Sequence, residues 1–80
     1  MPGTVCLAIP GYTAAPDVDH DGDEIDHGSS VADATAKCNA NPTCKGFNSD
    51  ANYKTKAEFT RAAPGYCFYT KSAASNMSCL

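Results

Sequence analysis

Short apolar stretches separated by turn residues and polar segments run along the whole chain, a pattern typical of a small protein built from short strands. Residues 5–9 form an apolar run closed by Pro10 and Gly11, which predicts a first strand followed by a turn. An acidic segment at 17–28, carrying Gly22 and Gly28, follows. We expect this segment to form a loop.

From Ser30 the apolar positions change to helical spacing. Ser30 and Asp33 have the spacing of a capping box, in which the two side chains accept backbone hydrogen bonds at the start of a helix. Ala34 and Cys38 then share one face with small apolar side chains, and Pro42 ends the pattern. The sequence therefore predicts one helix from about residue 31 to about residue 40.

The second half of the chain predicts further strands. Residues 44–49 carry Phe47 and form a candidate strand, whereas 50–64 is a polar stretch expected to be a long connection or hairpin. Residues 66–70 give the clearest strand signal because they are rich in aromatic side chains and follow a Pro-Gly turn. A short last strand is predicted at 77–80. The fold class is therefore α+β, a twisted antiparallel β-sheet of about five strands with one α-helix packed across it.

The length and the cysteine content indicate a small disulfide-stapled domain. Eighty residues allow one domain, 1–80, and a core of this size rarely supplies more than about 3–5 kcal/mol. The five cysteines are Cys6, Cys38, Cys44, Cys67 and Cys79. Such usage is typical of an oxidising, extracellular compartment. The odd count leaves one cysteine free, paired with another chain, or paired outside this sequence.

Neither a membrane span nor a signal peptide is visible in the sequence. The apolar runs are far shorter than the roughly 20 residues that a spanning helix needs, so no membrane insertion is expected. Because the cysteines indicate secretion while the N-terminus lacks the layout of a signal peptide, we expect a module excised from a larger secreted or cell-surface protein.

Charge is distributed unevenly along the chain. Residues 1–33 hold seven acids and no Lys or Arg, and residues 34–80 hold six bases and two acids, which gives −7 and +4 and the net charge of −3. The basic residues are scattered rather than gathered on one element, so a nucleic-acid partner is not expected.

The acidic segment begins like a calcium-binding loop but does not end like one. It has carboxylates at its first, third and fifth positions and glycine at the sixth, but Gly28 occupies the twelfth position, where a bidentate glutamate is needed. We expect a solvated acidic turn without metal. The alternative is a calcium-stabilised extracellular matrix domain, with the ligands Asp17, Asp19, Asp21 and Asp23.

The sequence gives little support for zinc binding or for catalysis. His20 and His27 accompany the cysteines, but no C-x2-C pair exists, and the spacing of Cys38 and Cys44 suits a disulfide better than a zinc finger. A nucleophilic Cys67 would need a neighbouring histidine in a cleft that so small a domain hardly forms. We expect no enzyme activity and no cofactor.

A few residues are candidates for ligand contact or modification. Side chains able to combine stacking with hydrogen bonding are Tyr53, Lys54, Tyr66 and Lys71. Asn76 begins an N-glycosylation sequon.

Four segments together resemble the PAN/apple domain family. They are the acidic segment 18–25, the Ser-Val opening at 30–31 that leads to Cys38, the Pro-x-Cys-x-x-Phe run at 42–47, and the Gly-x-Cys-aromatic strand at 65–71 that ends in lysine. The resemblance implies a twisted antiparallel sheet cradling one helix, and a role in binding proteins or carbohydrates without catalysis.

The resemblance also implies a disulfide pattern. It pairs Cys38 with Cys44, and Cys6 with Cys79 as a bridge between the termini. The family's first helix cysteine would fall at Ala34, so the usual partner of Cys67 is missing. Cys67 is then expected to be a buried free thiol.

The function expected from the sequence is that of a non-catalytic extracellular binding module, which mediates adhesion by recognising a carbohydrate or glycoprotein. Two alternatives stay open. One is a protein-protein interaction module without a small-ligand site, and the other is the calcium-stabilised domain. The sequence does not predict an oligomeric state.

Overall fold

The structure, a computed structural model, describes residues 4–72 and contains a five-stranded antiparallel sheet with one helix. The elements in chain order are β1 (Tyr12–Asp19), β2 (Glu24–His27), α1 (Val31–Ala40), β3 (Gly46–Asn48), β4 (Asn52–Lys54) and β5 (Arg61–Lys71). The strand order is β1-β5-β3-β4-β2, and the helix packs against β3 and β4. The predicted α+β class is confirmed.

The helix occupies the predicted residues because its N-terminus is capped as expected. The Ser30 hydroxyl oxygen accepts a hydrogen bond from the Asp33 backbone N–H at 3.1 Å. The Asp33 carboxylate accepts a second bond, from the backbone N–H of Ser29 at 2.9 Å, and pairs with Lys37 at 3.0 Å. The first contact satisfies an N–H group that a helix start leaves without an intrahelical partner, and the other two hold the Asp33 side chain at the helix start.

The main core lies between the helix and the sheet. Ala34 and Cys38 are fully buried on the helix, and Phe47 and Tyr69 are buried on neighbouring strands with their ring centroids 5.1 Å apart. Small helix side chains allow close approach to the sheet, so the large aromatic rings come from the strand side. On β5, Cys67 and Tyr69 belong to this cluster whereas the adjacent Phe68 does not, as strand alternation requires.

The opposite face of β5 has a smaller, more polar packed region. Phe68 is buried there, with the His20 ring at a centroid distance of 6.5 Å. Beside it, the buried Asn48 side chain donates to both carboxylate oxygens of the buried Asp19, at 3.2 and 3.3 Å. The connection after β1 thus covers the face of the sheet that the helix does not.

Three sequence expectations about strands need correction. Residues 5–9 are not a strand; the first strand is β1, which pairs with β5. The acidic segment is not all loop, since it includes the end of β1 and all of β2. The polar stretch 50–64 contains β4 and the start of β5. The predicted last strand at 77–80 lies outside the described residues, as do Asn76 and Cys79.

One of the two expected disulfides is confirmed and the other is wrong. Cys38 is bonded to Cys44, as the resemblance implied. Cys6 is bonded to Cys67 and not to Cys79, so Cys67 is not a free thiol. The reason is the course of residues 4–9, which cross β5 and bring the Cα atoms of Cys6 and Cys67 to 5.8 Å, within the usual bridging range.

The two bridges are compatible with an oxidising, extracellular location. Within residues 4–72 the structure has no helix with the length and apolar character that crossing a membrane requires.

Candidate functional site

One concave surface among the described residues is an apolar cleft between residues 4–9, the first turns of α1 and β5. Its volume is about 670 Å³. The side chains that form most of its apolar wall are Val5, Leu7, Ile9, Val31, Cys67 and Tyr69. We call this surface the apolar cleft.

Covalent and polar contacts fix the outer wall of the apolar cleft. The Cys6–Cys67 bridge ties residues 4–9 to the sheet. The Tyr69 hydroxyl donates to the Leu7 carbonyl oxygen at 3.0 Å, so the same aromatic residue packs in the core and holds the wall. A segment without strand pairing is thereby held in place by its partners on β5.

Asp17 anchors the start of the same wall. It lies at a break in the β1–β5 register, with a positive φ of 62°. Its carboxylate accepts hydrogen bonds from the Thr4 hydroxyl at 2.6 Å and from the Gly65 backbone N–H at 2.9 Å. These hydrogen bonds, that of Thr4 first, lower the pKa of Asp17 below its ordinary value.

The hydroxyl groups around the apolar cleft already have protein partners. Thr35 donates to the Val31 carbonyl oxygen at 2.8 Å, and Ser49 accepts from the Cys67 backbone N–H at 3.0 Å. The apolar cleft therefore presents apolar side chains to a ligand, with few polar groups at its edge. Val5 and Leu7 are 89% and 79% exposed, so a large part of their apolar surface is available for contact.

The four residues predicted to contact a ligand are not brought together. Tyr53 belongs to the main core, and Lys54 is only 4% exposed. The Tyr66 hydroxyl donates to the Asp50 carboxylate at 2.8 Å, which raises the pKa of Tyr66. Lys71 lies at the C-terminal end of α1. None of these residues lines the apolar cleft.

The carboxylates proposed as calcium ligands each have a separate protein partner. Asp17 binds Thr4 and Gly65, Asp19 binds Asn48, Asp21 binds Arg61, and Asp23 binds His20. Within residues 4–72, no three His, Cys, Asp or Glu side chains are grouped so that they could hold a metal ion.

Hydrogen bonds from protein side chains therefore hold residues 19–23, which we call the acidic turn, in place. The Asp21–Arg61 and Asp23–His20 contacts are both 2.6 Å, and they lower the pKa of each carboxyl group. Gly22, with a φ of +74°, supplies the left-handed backbone that the turn needs.

Sequence reasoning missed the residues that form the apolar cleft. Its outer wall was predicted as a strand because residues 5–9 form an apolar run closed by Pro10 and Gly11. The available signal was Cys6 within that run, since a bridged segment does not need ladder hydrogen bonds to keep its position.

The chain matches no model of a known protein family, and it matches no curated protein and no solved structure.

Proposed function

We propose that this chain is a non-catalytic extracellular binding module of the PAN/apple type, which contributes to adhesion by recognising a carbohydrate or a glycoprotein. The four sequence segments that resemble the family, the α+β arrangement and the Cys38–Cys44 bridge support this proposal, whereas the Cys6–Cys67 bridge departs from the pairing that the resemblance implies. An expected location outside the cell is consistent with the bridges.

The observation that carries the proposal is the apolar cleft. Its volume of about 670 Å³ lies within the range of ligand pockets, about 300–1,000 Å³, which are mostly apolar with a few polar groups. The apolar face of a sugar ring, or an apolar side chain of a glycoprotein, buries surface in such a cleft. Each fully buried side chain of leucine size stabilises a complex by about 1.5–3 kcal/mol.

A second candidate function is a protein-protein interaction module without a small-ligand site. The exposure of Val5 and Leu7 favours it, because these side chains form an apolar edge beyond the cleft itself. Such an edge suits the broad surface of a protein better than one sugar ring. The calcium-stabilised alternative gains no support from the acidic turn, whose carboxylates have protein donors.

Binding to a glycan array, followed by a comparison of two variants, tests the proposal. Leu7→Ser removes an apolar side chain from the apolar cleft, and Phe59→Ser is the matched control, since Phe59 is 88% exposed and does not line it. We expect Leu7→Ser to weaken binding about tenfold or more and Phe59→Ser to leave it unchanged. Both variants should melt at the wild-type temperature.

Two outcomes would contradict the proposal, the first in its ligand and the second in its site. If the array shows no binding while an extracellular glycoprotein binds equally well with and without its glycans, the second candidate is correct. If Leu7→Ser and Phe59→Ser bind a glycan as tightly as the wild type, the apolar cleft is not the site.

A further inference from the structure

A second concave surface, rich in lysine, lies at the other end of the sheet. Its volume is about 290 Å³, and it shares no lining residue with the apolar cleft. The polar side chains that line it are Lys45, Thr55, Lys56, Glu58, Thr70 and Lys71. We call this surface the lysine pocket.

The sheet register places two of these lysines side by side. Gly46 pairs with Thr70 across β3 and β5, and the Lys71 backbone N–H donates to the Lys45 carbonyl oxygen at 2.8 Å. A side chain at Gly46 would collide with the Tyr69 carbonyl oxygen, so glycine is what allows this close approach. Like charges placed directly opposite each other in a sheet are unfavourable.

Contacts with the end of the helix fix the Lys71 ammonium group. Its Nζ donates to the Cys38 carbonyl oxygen at 2.7 Å and to the Asn41 carbonyl oxygen at 3.3 Å. An ammonium group has three N–H donors, so one is left for a ligand. Burial lowers the pKa of Lys71, and the neighbouring charge of Lys45 lowers it further.

The positive charge of the lysine pocket is not compensated by ion pairs. Within residues 4–72, Lys45, Lys56 and Lys71 make no salt bridge, whereas Lys37 pairs with Asp33. Among the described residues, Glu58 is the one acid that lines the lysine pocket. Three lysines and one glutamate give a local charge of +2 in a protein whose net charge is −3.

We propose that the lysine pocket binds one oxyanion group, such as a sulfate, a phosphate or a carboxylate. Lys45 and Lys71 supply the charge and the N–H donors, and Thr70 lies at the edge of the lysine pocket. An oxyanion accepts a hydrogen bond from the third N–H of Lys71, and its negative charge offsets the repulsion between the two adjacent lysines. The lysine pocket and the apolar cleft are lined by different residues, so this proposal is independent of the function proposed above.

Titration with inorganic sulfate at low ionic strength, followed by backbone amide NMR, tests the proposal. We expect saturable shifts at the amides of Lys45, Thr70 and Lys71, with a dissociation constant in the millimolar range. Lys45→Gln should weaken sulfate binding about tenfold, the loss of one charge-assisted hydrogen bond. Lys37→Gln is the control, because it changes the net charge equally at a site outside the lysine pocket.

A variant that should strengthen sulfate binding, rather than weaken it, makes the test more specific. Glu58→Gln removes the acid beside the bound anion, so it should tighten sulfate binding about twofold to fivefold. Parallel titrations with phosphate and acetate show which oxyanions the lysine pocket accepts. Shifts that do not saturate with any of the three anions would overturn the proposal. Equal weakening by Lys45→Gln and Lys37→Gln would do so as well, since it would mean attraction to overall charge alone.

Discussion

The bridge between Cys6 and Cys67 should contribute more to stability than any other single feature of this domain. It joins residues 61 apart, whereas the Cys38–Cys44 bridge joins residues only 6 apart. In the chain-entropy treatment, closing loops of these lengths restricts the unfolded chain by about 4 and about 2 kcal/mol. A small domain has a total stability of about 5–15 kcal/mol, so losing the longer bridge removes a large share of it.

The double variant Cys6→Ala/Cys67→Ala removes this bridge and is compared with the wild type in its oxidised form. We expect the free energy of unfolding to fall by about 4 kcal/mol, and the melting temperature to fall by about 15–30 °C. Denaturant titration measures the first quantity, and circular dichroism during heating measures the second. Peptide mass mapping of the wild type should find Cys6 and Cys67 in one linked peptide pair.

Cys79→Ala is the control that separates the two possible partners of Cys6. Because Cys6 is bonded to Cys67, replacing Cys79 should leave the melting temperature nearly unchanged. A loss of about 4 kcal/mol in Cys79→Ala, together with a peptide linking Cys6 to Cys79, would refute the pairing and restore the bridge between the termini.

Three further changes test the fold and its acid response. Gly46→Ala should lower the free energy of unfolding by about 1–3 kcal/mol in denaturant titration, because its methyl group would collide with the adjacent β5 backbone; a neutral result would mean that β3 can shift away. Ser30→Ala removes the helix cap and should cost about 1 kcal/mol by the same assay; an unchanged free energy of unfolding would mean that the cap does not stabilise the helix. Asp17 has a lowered pKa, so its ionised form contributes stability above about pH 4 that is lost as the pH falls through the folded-state pKa. We therefore expect the difference in the free energy of unfolding between Asp17→Asn and the wild type to shrink as the pH is lowered from about 6 to about 2. A difference that stays constant over this range would contradict the prediction.

The helix was predictable because all of its signals are local. Ser30 and Asp33 determine its start, and Pro42 prevents its continuation, so the predicted and observed boundaries agree at Val31–Ala40. The aromatic run of β5 was predictable for a similar reason, since its side chains favour a strand wherever the chain places them. The buried positions of Cys67 and Tyr69 follow from strand alternation.

The first strand was not predictable because its stability comes from its partner. β1 contains Ala14, Ala15 and Pro16, which have little intrinsic preference for strands, yet it pairs with β5 along most of its length. Pro16 is tolerated because β1 is an edge strand and the register breaks between Pro16 and Val18. The apolar run at 5–9 gave the stronger local signal but belongs to no strand of the sheet that residues 4–72 form.

The disulfide partner of Cys6 and the two candidate surfaces also depend on long-range geometry. Cysteine spacing alone does not decide which distant cysteines meet. The course of residues 4–9 across β5 decides the pairing, and it also creates the apolar cleft. In the same way, Lys45 and Lys71 are far apart in the sequence, and only the β3–β5 register brings them together.

The acidic turn and the lysine pocket differ in whether their charged side chains have partners of opposite charge or hydrogen-bond donors within the protein. In the acidic turn, Asp19, Asp21 and Asp23 each have a protein donor, so their charges stabilise the fold itself. In the lysine pocket, the adjacent Lys45 and Lys71 have no acidic partner within residues 4–72 and repel each other. Sequences usually avoid such local conflicts except where function requires them. A protein with a net negative charge can therefore present an anion site, because direct contact in the lysine pocket outweighs the distant carboxylates, which water and salt screen over about 10 Å.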